Sequence, residues 1–328
     1  MLNISIMKVY DKVLNGTGIS YDEAIELSNL KGEDILDLVS LANKVRNRFF
    51  GDPHVCTIMN AKSGKCSEDC KFCAQSSFHS TGIEEYPLAN KEQILKQAEN
   101  CYKSGVKHFG LVTSGRGYEN TNDEFIEILD AIDLIYDRFP QLNVCASIGI
   151  LNRERAYELA KKNIKHYNIN LQTAPSKYNK LISTTHDIEE KYSTIRYLKE
   201  FGVEICAGGI IGLGESMKDR IEMAFKLKEL EVEVIPLNVL IPIPGTPLEG
   251  IEELSVSEIA LSFALFRLIN PKIVIKFAAG RETKMKDFQG LLMLAGANGF
   301  LTGGYLTTRG REVSEDDKFG DELKGFRN

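Results

Sequence analysis

From residue 54 onward, short apolar strands alternate with amphipathic helices, and this repeat limits the fold more than any other feature of the chain. The expected strands cover 54–60, 107–114, 142–148, 166–173, 203–210, 234–239, 273–277 and a weak last one at 298–301. The expected helices include 91–103, 123–139, 187–201, 217–230 and 255–269. Such alternation builds a parallel sheet. Eight units in about 250 residues suit a (β/α)8 barrel, with a doubly wound open sheet as the alternative. The strand faces favour the barrel. Leu142, Val144 and Ala146 oppose Asn143, Cys145 and Ser147; Tyr167, Ile169 and Leu171 oppose Asn168, Asn170 and Gln172; Val203 and Ile205 oppose Glu204, Cys206 and Gly208. Parallel strands covered on both sides are normally apolar on both faces. Here one face suits packing under helices and the other a polar interior. Polar groups placed there must find partners or cost stability.

The segment 1–50 reads as a helical extension, with Ser20 and Glu23 forming an S-x-x-E capping box. The barrel is expected over 51–304 and a polar, charged tail with little core of its own over 305–328, closing the barrel. The chain has 328 residues, a hydrophobic fraction of 43% and a net charge of −6, enough apolar content for a large core. No basic block appears, so nucleic-acid binding is not expected. No run long enough to span a membrane and no signal-peptide pattern is present, so a cytoplasmic protein is expected. Seven cysteines, an odd number, disfavour a disulfide framework.

Three of those cysteines, Cys66, Cys70 and Cys73, stand in Lys65-Cys66-Ser67-Glu68-Asp69-Cys70-Lys71-Phe72-Cys73, a C-x3-C-x2-C spacing. Thiolates so close in sequence can wrap one soft metal centre. Structural free cysteines usually lie among apolar neighbours, whereas these lie among Lys65, Glu68, Asp69 and Lys71. Zinc is the weaker competitor, because no ligand pair with zinc-finger spacing follows. With only three ligands, one iron of a cubane cluster would stay open to substrate or cofactor.

Cys56, Cys145 and Cys206 fall on the first, third and fifth strands, and Lys276 on the seventh. Barrel interiors pack in layers drawn from alternate strands, so these four can share one layer. Taken singly, each cysteine is as readily a small buried hydrophobe. Taken together, they suggest a second metal site. Cys101, within a helix, reads as structural. Gly212 and Glu215, in Ile211-Gly212-Leu213-Gly214-Glu215 after the fifth strand, suit close approach of backbone to a ligand. Ser114 and Gly115 end the second strand in a turn or a binding loop. Asn168, Asn170 and Gln172, on a strand between apolar residues, read as amides facing a ligand more readily than as solvated ones, and Asn238 follows the same logic. No nucleophile–base pair is found, the five histidines form no spaced ligand pair, and no catalytic acid–base residue is assigned.

With Phe72 just before its last cysteine, the triad motif resembles that of the radical S-adenosylmethionine superfamily, and the chain is similar to the biotin synthase family over nearly its whole length. The segments that carry the resemblance are 64–76, Ser114-Gly115-Arg116-Gly117, Tyr167-Asn168-Ile169-Asn170-Leu171, 206–215, Ala279-Gly280-Arg281-Glu282, Ala295-Gly296-Ala297-Asn298 and Tyr305-Leu306-Thr307-Thr308. The resemblance implies a homodimeric barrel in which Cys66, Cys70 and Cys73 hold a 4Fe–4S cluster that binds S-adenosylmethionine. It implies reductive cleavage to a 5′-deoxyadenosyl radical, hydrogen abstraction from dethiobiotin and sulfur insertion from an auxiliary iron–sulfur cluster. Flavodoxin or ferredoxin would supply the electron. Phe72, Ser114, Gly115, Asn170, Gln172, Gly212 and Glu215 would meet the S-adenosylmethionine cofactor; Asn170, Asn238, Thr307 and Thr308 would meet substrate.

The chain departs from the family pattern at the auxiliary site. Two of the usual three cysteine positions match Cys145 and Cys206; the third is Gly110, and the usual arginine position is Lys276. A standard 2Fe–2S site is therefore not expected, and Cys56 is the candidate third thiolate. An acidic residue is usual where Gln172 stands. The competing readings are a related radical enzyme acting on an amino acid, of the hydrogenase-maturation or methylornithine-synthase type, and a non-catalytic iron–sulfur redox protein.

Overall fold

The computed structural model describes residues 2–304, 306, 311 and 313–326. Thr307 and Thr308 lie outside the described residues. Eight parallel strands close into a barrel: β1 (His54–Lys62), β2 (His108–Thr113), β3 (Asn143–Ser147), β4 (His166–Asn168), β5 (Glu204–Cys206), β6 (Val234–Val239), β7 (Val274–Phe277) and β8 (Gly299–Leu301). Each pairs with the next, and β8 pairs back onto β1, which excludes the open doubly wound sheet. A short continuation of β5, Gly209–Ile211, also pairs with β6.

The strands are shorter than their apolar patterns where the barrel wall opens. The pattern over 166–173 yields only β4, because the chain leaves the wall at Ile169 and Gln172 takes φ +71°. The pattern over 203–210 breaks at Ala207 and Gly208. A Cβ on Gly208 would lie 1.9 Å from the Pro236 carbonyl oxygen, so only glycine permits this approach to β6.

Helices cover the outside, and their starts follow local chemistry. Asn90, Asn122, Asn152, Asp187, Ser216 and Ser255 each cap a helix by accepting a backbone N–H with the side chain. The helix Val256–Ile269 is buried along almost all its length, so its pattern is apolar all round. The first fifty residues form three helices, Ile4–Leu14, Tyr21–Leu27 and Glu33–Phe49, the second opened by the Ser20–Glu23 capping box. The third packs on Val256–Ile269.

The polar tail is tied to the barrel by a few specific contacts. Val313–Lys324 is a helix, and Phe319 packs on Phe277 and Phe300 at ring-centroid distances of 6.4 and 6.0 Å. Arg281 Nη2 donates to the Asp316 carboxylate at 2.9 Å, with both residues 1% exposed. One buried ion pair and a few apolar contacts dock a segment whose composition is otherwise polar. No helix among the described residues is long and apolar enough to cross a membrane.

Candidate functional site

The loop after β1 carries Cys66, Cys70 and Cys73 at the C-terminal end of the barrel, where barrel active sites form. Gly64 and Lys65 both take positive φ and turn the chain sharply off the strand. A Cβ on Gly64 would meet Glu85 Cγ at 2.6 Å. Beyond the turn, the loop is held from two sides. Cys66 N–H donates to the Gln75 carbonyl at 3.0 Å, and Ser76 Oγ to the Glu68 carbonyl at 2.6 Å. Asp69 accepts from Ser183 Oγ at 2.5 Å and from the Thr184 N–H at 2.8 Å. Glu68 meets His186 Nδ1 at 2.6 Å, with both side chains buried. Glu68 and Asp69, between the first two cysteines, therefore clamp the loop onto segment 183–186, with Glu68 buried.

Backbone N–H groups of Glu68 and Gly115 point at the Cys66 sulfur, and those of Gln75 and Ser76 at Cys73. Burial pushes the Cys70 thiol up to about 12 and Cys73 up to about 11, with repulsion from neighbouring sulfurs adding to each shift. Three sulfurs that repel one another when ionised, two of them met by backbone N–H donors, match the needs of a bound cationic iron centre. The residues present therefore fit an iron–sulfur cluster. Lys191 is buried beside this centre, with its Nζ donating to the Asn170 carbonyl at 2.8 Å. Burial draws its pKa down to about 8, and Cys70 and Glu68 oppose the shift.

A cavity of about 300 Å³ runs from this loop into the barrel. Phe72, Cys73 and Gln75 line its upper wall; Cys56, Cys145, Cys206 and Lys276 line its floor. These last four come from β1, β3, β5 and β7, the alternate strands of one layer. Lys276 Nζ donates to Cys56 Sγ at 3.3 Å. Burial pulls the lysine pKa down, but attraction to Cys56, Cys206 and Cys145 outweighs it and the net shift is upward. Burial pushes the Cys145 thiol up to about 12, while Lys276 favours its thiolate. Gly110 lies in register with Cys145 and Ile58. A Cβ there would stand 2.9 Å from Ile58 Cγ2, so Ile58 fills the space a side chain would need. Three thiols facing one cation fit an anionic cluster on the cavity floor.

The amides divide. Asn170, Gln172 and Asn238 all line the cavity. Asn170 Oδ1 accepts the Gly208 N–H at 3.0 Å, and Asn238 bridges the Gly209 carbonyl at 3.1 Å and the Ala279 N–H at 3.0 Å. Gln172 Oε1 is buried with no protein partner among the described residues. Glu215, expected at the cofactor, turns inward to its own loop. It accepts the Gly212 N–H at 2.8 Å, the Leu213 N–H at 2.6 Å and Arg220 Nε at 2.5 Å. It shapes the glycine loop and is absent from the cavity wall. Ser114 Oγ donates to the Gly64 carbonyl at 2.7 Å, which leaves Gly115 nearer the triad. Cys101 is buried against the Val106 carbonyl, 3.4 Å away, and does not line the cavity.

One expectation is corrected. His54, His108 and His166, which show no ligand spacing in the sequence, converge with nitrogens within 4.8 Å of one another. They come from three strands, so no local pattern links them. The available signal was that each opens its strand, two residues before a position of the cavity floor. Lys191 was also missed, because one lysine in a helix has no distinguishing pattern.

Residues 61–227 match the Radical SAM superfamily model, and residues 236–323 match the Biotin and Thiamin Synthesis associated domain. A biotin synthase of Chlorobium phaeovibrioides is 56% identical over 99% of this chain and 98% of its own length. One of Pelodictyon phaeoclathratiforme is 53% identical, with the same coverage. Among solved structures, methylornithine synthase superposes with a TM-score of 0.84 at 18% identity, covering 97% of this chain and 96% of its own. The FeFe-hydrogenase maturase of Carboxydothermus hydrogenoformans gives 0.81 at 18% identity, covering 98% and 78%. At that identity the two structures share the fold and nothing further is drawn from them. Full-length identity above one half, together with both family models, shows that the chain belongs to the biotin synthase family of radical S-adenosylmethionine enzymes.

Proposed function

We propose that this chain inserts sulfur into dethiobiotin to form biotin, a radical sulfurtransferase reaction. The observation that carries the reading is one cavity that runs from Cys73 of the triad above to a thiol layer below. When bound, a 4Fe–4S cluster delivers the electron that cleaves S-adenosylmethionine to methionine and a hydrogen-abstracting 5′-deoxyadenosyl radical. The chain supplies the rest. Cys66, Cys70 and Cys73 hold the cluster, and the clamp of Asp69 and Glu68 onto 183–186 fixes their spacing. Phe72 and the backbone of Gly115 and Gly212 shape the cofactor pocket. Asn170, Gln172 and Asn238 present polar groups to bound molecules in a wall otherwise largely apolar. The enclosed barrel keeps water from a reactive radical. The family resemblance extends the substrate contacts to Thr307 and Thr308. It also supports a cytoplasmic homodimer reduced by flavodoxin or ferredoxin.

The sulfur source we assign to an auxiliary cluster held by Cys56, Cys145 and Cys206. Gly110 has no side chain to ligate iron, and a protonated Lys276 has no lone pair to offer. Three thiolates suit a cubane-type cluster better than a fully ligated 2Fe–2S rhomb, and leave one iron position open for an extra sulfide. Lys276 offsets the negative charge of the thiolates it faces. Reconstituted protein then carries about 8 iron atoms per chain.

The deciding experiment is an anaerobic incubation of reduced, reconstituted protein with S-adenosylmethionine and dethiobiotin. Biotin together with 5′-deoxyadenosine is the expected outcome. Deoxyadenosine without biotin would move the chain to another substrate, and neither product would leave an electron carrier.

A further inference from the structure

Below the thiol layer the barrel carries a second inward ring. His54, His108 and His166 open β1, β2 and β4, each two residues before a position that lines the cavity: Cys56, Gly110 and Asn168. Side chains two apart on a strand share a face, so the three imidazoles enter the same lumen one step lower. Their rings are in mutual contact. His54 stacks on His108 at 4.0 Å between centroids, and His166 stands 5.7 and 5.6 Å from the two. One nitrogen from each lies within 4.8 Å of the others.

The hydrogen bonding around them is incomplete. Nδ1 of His54 and Nδ1 of His108 are both buried with no hydrogen-bond partner among the described residues. A buried polar atom without a partner is costly, and two such atoms on stacked rings point to a ligand that both can meet. His166 is oriented from outside the trio. Its Nε2 lies 3.1 Å from the Glu204 carboxylate, and its Nδ1 lies 3.6 Å from Cys145 Sγ. A carboxylate behind an imidazole is the usual support of a metal-bound histidine. Glu204 is itself paired with Lys165. The nearest cation of the layer above, Lys276, is turned to Cys56.

We propose that His54, His108 and His166 bind one divalent first-row transition-metal ion, zinc or ferrous iron, at the N-terminal end of the barrel. Imidazole nitrogens select these ions, whereas calcium and magnesium require oxygen ligands. Metal–nitrogen bonds of about 2.0–2.1 Å need the three nitrogens about 3.4 Å apart in a tetrahedral site, so small ring rotations close the trio on an ion. His54 and His108 keep partial solvent exposure, and His166 borders the cavity. The site adjoins the proposed auxiliary cluster through His166 and Cys145 and differs from it in donor chemistry, with nitrogens in place of thiols.

The test is equilibrium dialysis of the cluster-loaded protein against micromolar zinc under anaerobic conditions, with zinc, iron and sulfide counted separately. Wild type is expected to retain one zinc per chain. His108→Ala and His108→Gln should bind it at least about 10–100-fold more weakly, with iron and sulfide unchanged. Glutamine keeps a buried polar group and guards against a folding artefact, checked by circular dichroism. Zinc-edge X-ray absorption of wild type should show a nitrogen-rich first shell. Any of three results overturns the proposal: no zinc retained by wild type, unchanged zinc affinity in both variants, or a sulfur-rich shell. Loss of iron from the variants with zinc retained would overturn it too, by giving these histidines to the auxiliary cluster.

Discussion

Lys276 reaches across one intervening strand to place its ammonium 3.3 Å from Cys56 Sγ. The intervening strand permits this only because it carries Gly299, in register with both Lys276 and His54. A Cβ at 299 would lie 2.5 Å from the His54 carbonyl oxygen and 2.9 Å from Lys276 Cγ. The missing side chain leaves room for the lysine stem, and the lysine cation draws Cys56 into the same electrostatic unit as Cys145 and Cys206.

That geometry makes Cys56 separable from the triad. Cys56→Ser should lower iron by about 4 atoms per chain and abolish biotin formation, while 5′-deoxyadenosine release continues. Iron analysis and product chromatography on the same sample check it. Full iron with normal biotin yield would reduce Cys56 to a core residue.

Gly299→Ala forces a methyl group against backbone and the Lys276 stem. Overpacking of this kind costs about 1–3 kcal/mol. The expected result is a lower denaturation midpoint together with weaker retention of the auxiliary iron, while the triad cluster still assembles. A variant with wild-type stability and wild-type iron would show that β7 and β8 relax freely.

Cys70→Ala removes one of three ligands from a site that offers no fourth nearby. S-adenosylmethionine cleavage should fall to background, read as 5′-deoxyadenosine released under reducing conditions. Normal cleavage by this variant would remove the triad assignment.

Asn238 spends its amide on the Gly209 carbonyl and the Ala279 N–H while lining the cavity. Asn238→Ala should weaken dethiobiotin binding by about tenfold or more, as expected when a buried polar contact to a ligand is lost. The iron–sulfur absorption spectrum should be unchanged. Isothermal titration settles it: an unaltered dissociation constant would make Asn238 a strut between the wall strands alone.

Asp316→Ala removes the buried carboxylate of the Arg281–Asp316 pair, while Glu282 stays 2.9 Å from the Arg281 guanidinium. Breaking a buried pair from one side costs up to about 3–5 kcal/mol, and less where a second carboxylate remains. Thermal and urea denaturation should both report the loss. If stability falls by less than about 1 kcal/mol, the range for an exposed pair, the terminal helix docks through Phe319 and Leu323 instead.

The chain's own order of residues was enough to determine the barrel, the triad and the family. Strand–helix alternation, helix caps and the C-x3-C-x2-C spacing are local patterns, and each acts over a few residues. The thiol layer was partly legible for the same reason. Barrel geometry converts alternate strands into one layer, so Cys56, Cys145, Cys206 and Lys276 could be grouped by counting strands. Other features depended on shear, register and side-chain rotation. Strand position alone does not orient Cys56, and it is the closed register that turns it toward the cavity. Glu215 reads as a ligand-facing carboxylate until the loop folds back and satisfies it with Gly212, Leu213 and Arg220. The tail is expected to close the barrel, but that it does so partly through Asp316 on Arg281 is visible only in the fold. Above all, His54, His108 and His166 are separated by more than fifty residues at each step, and only ring closure brings them together. Local patterns record what a segment prefers; convergence of distant side chains exists only once the last strand has paired with the first.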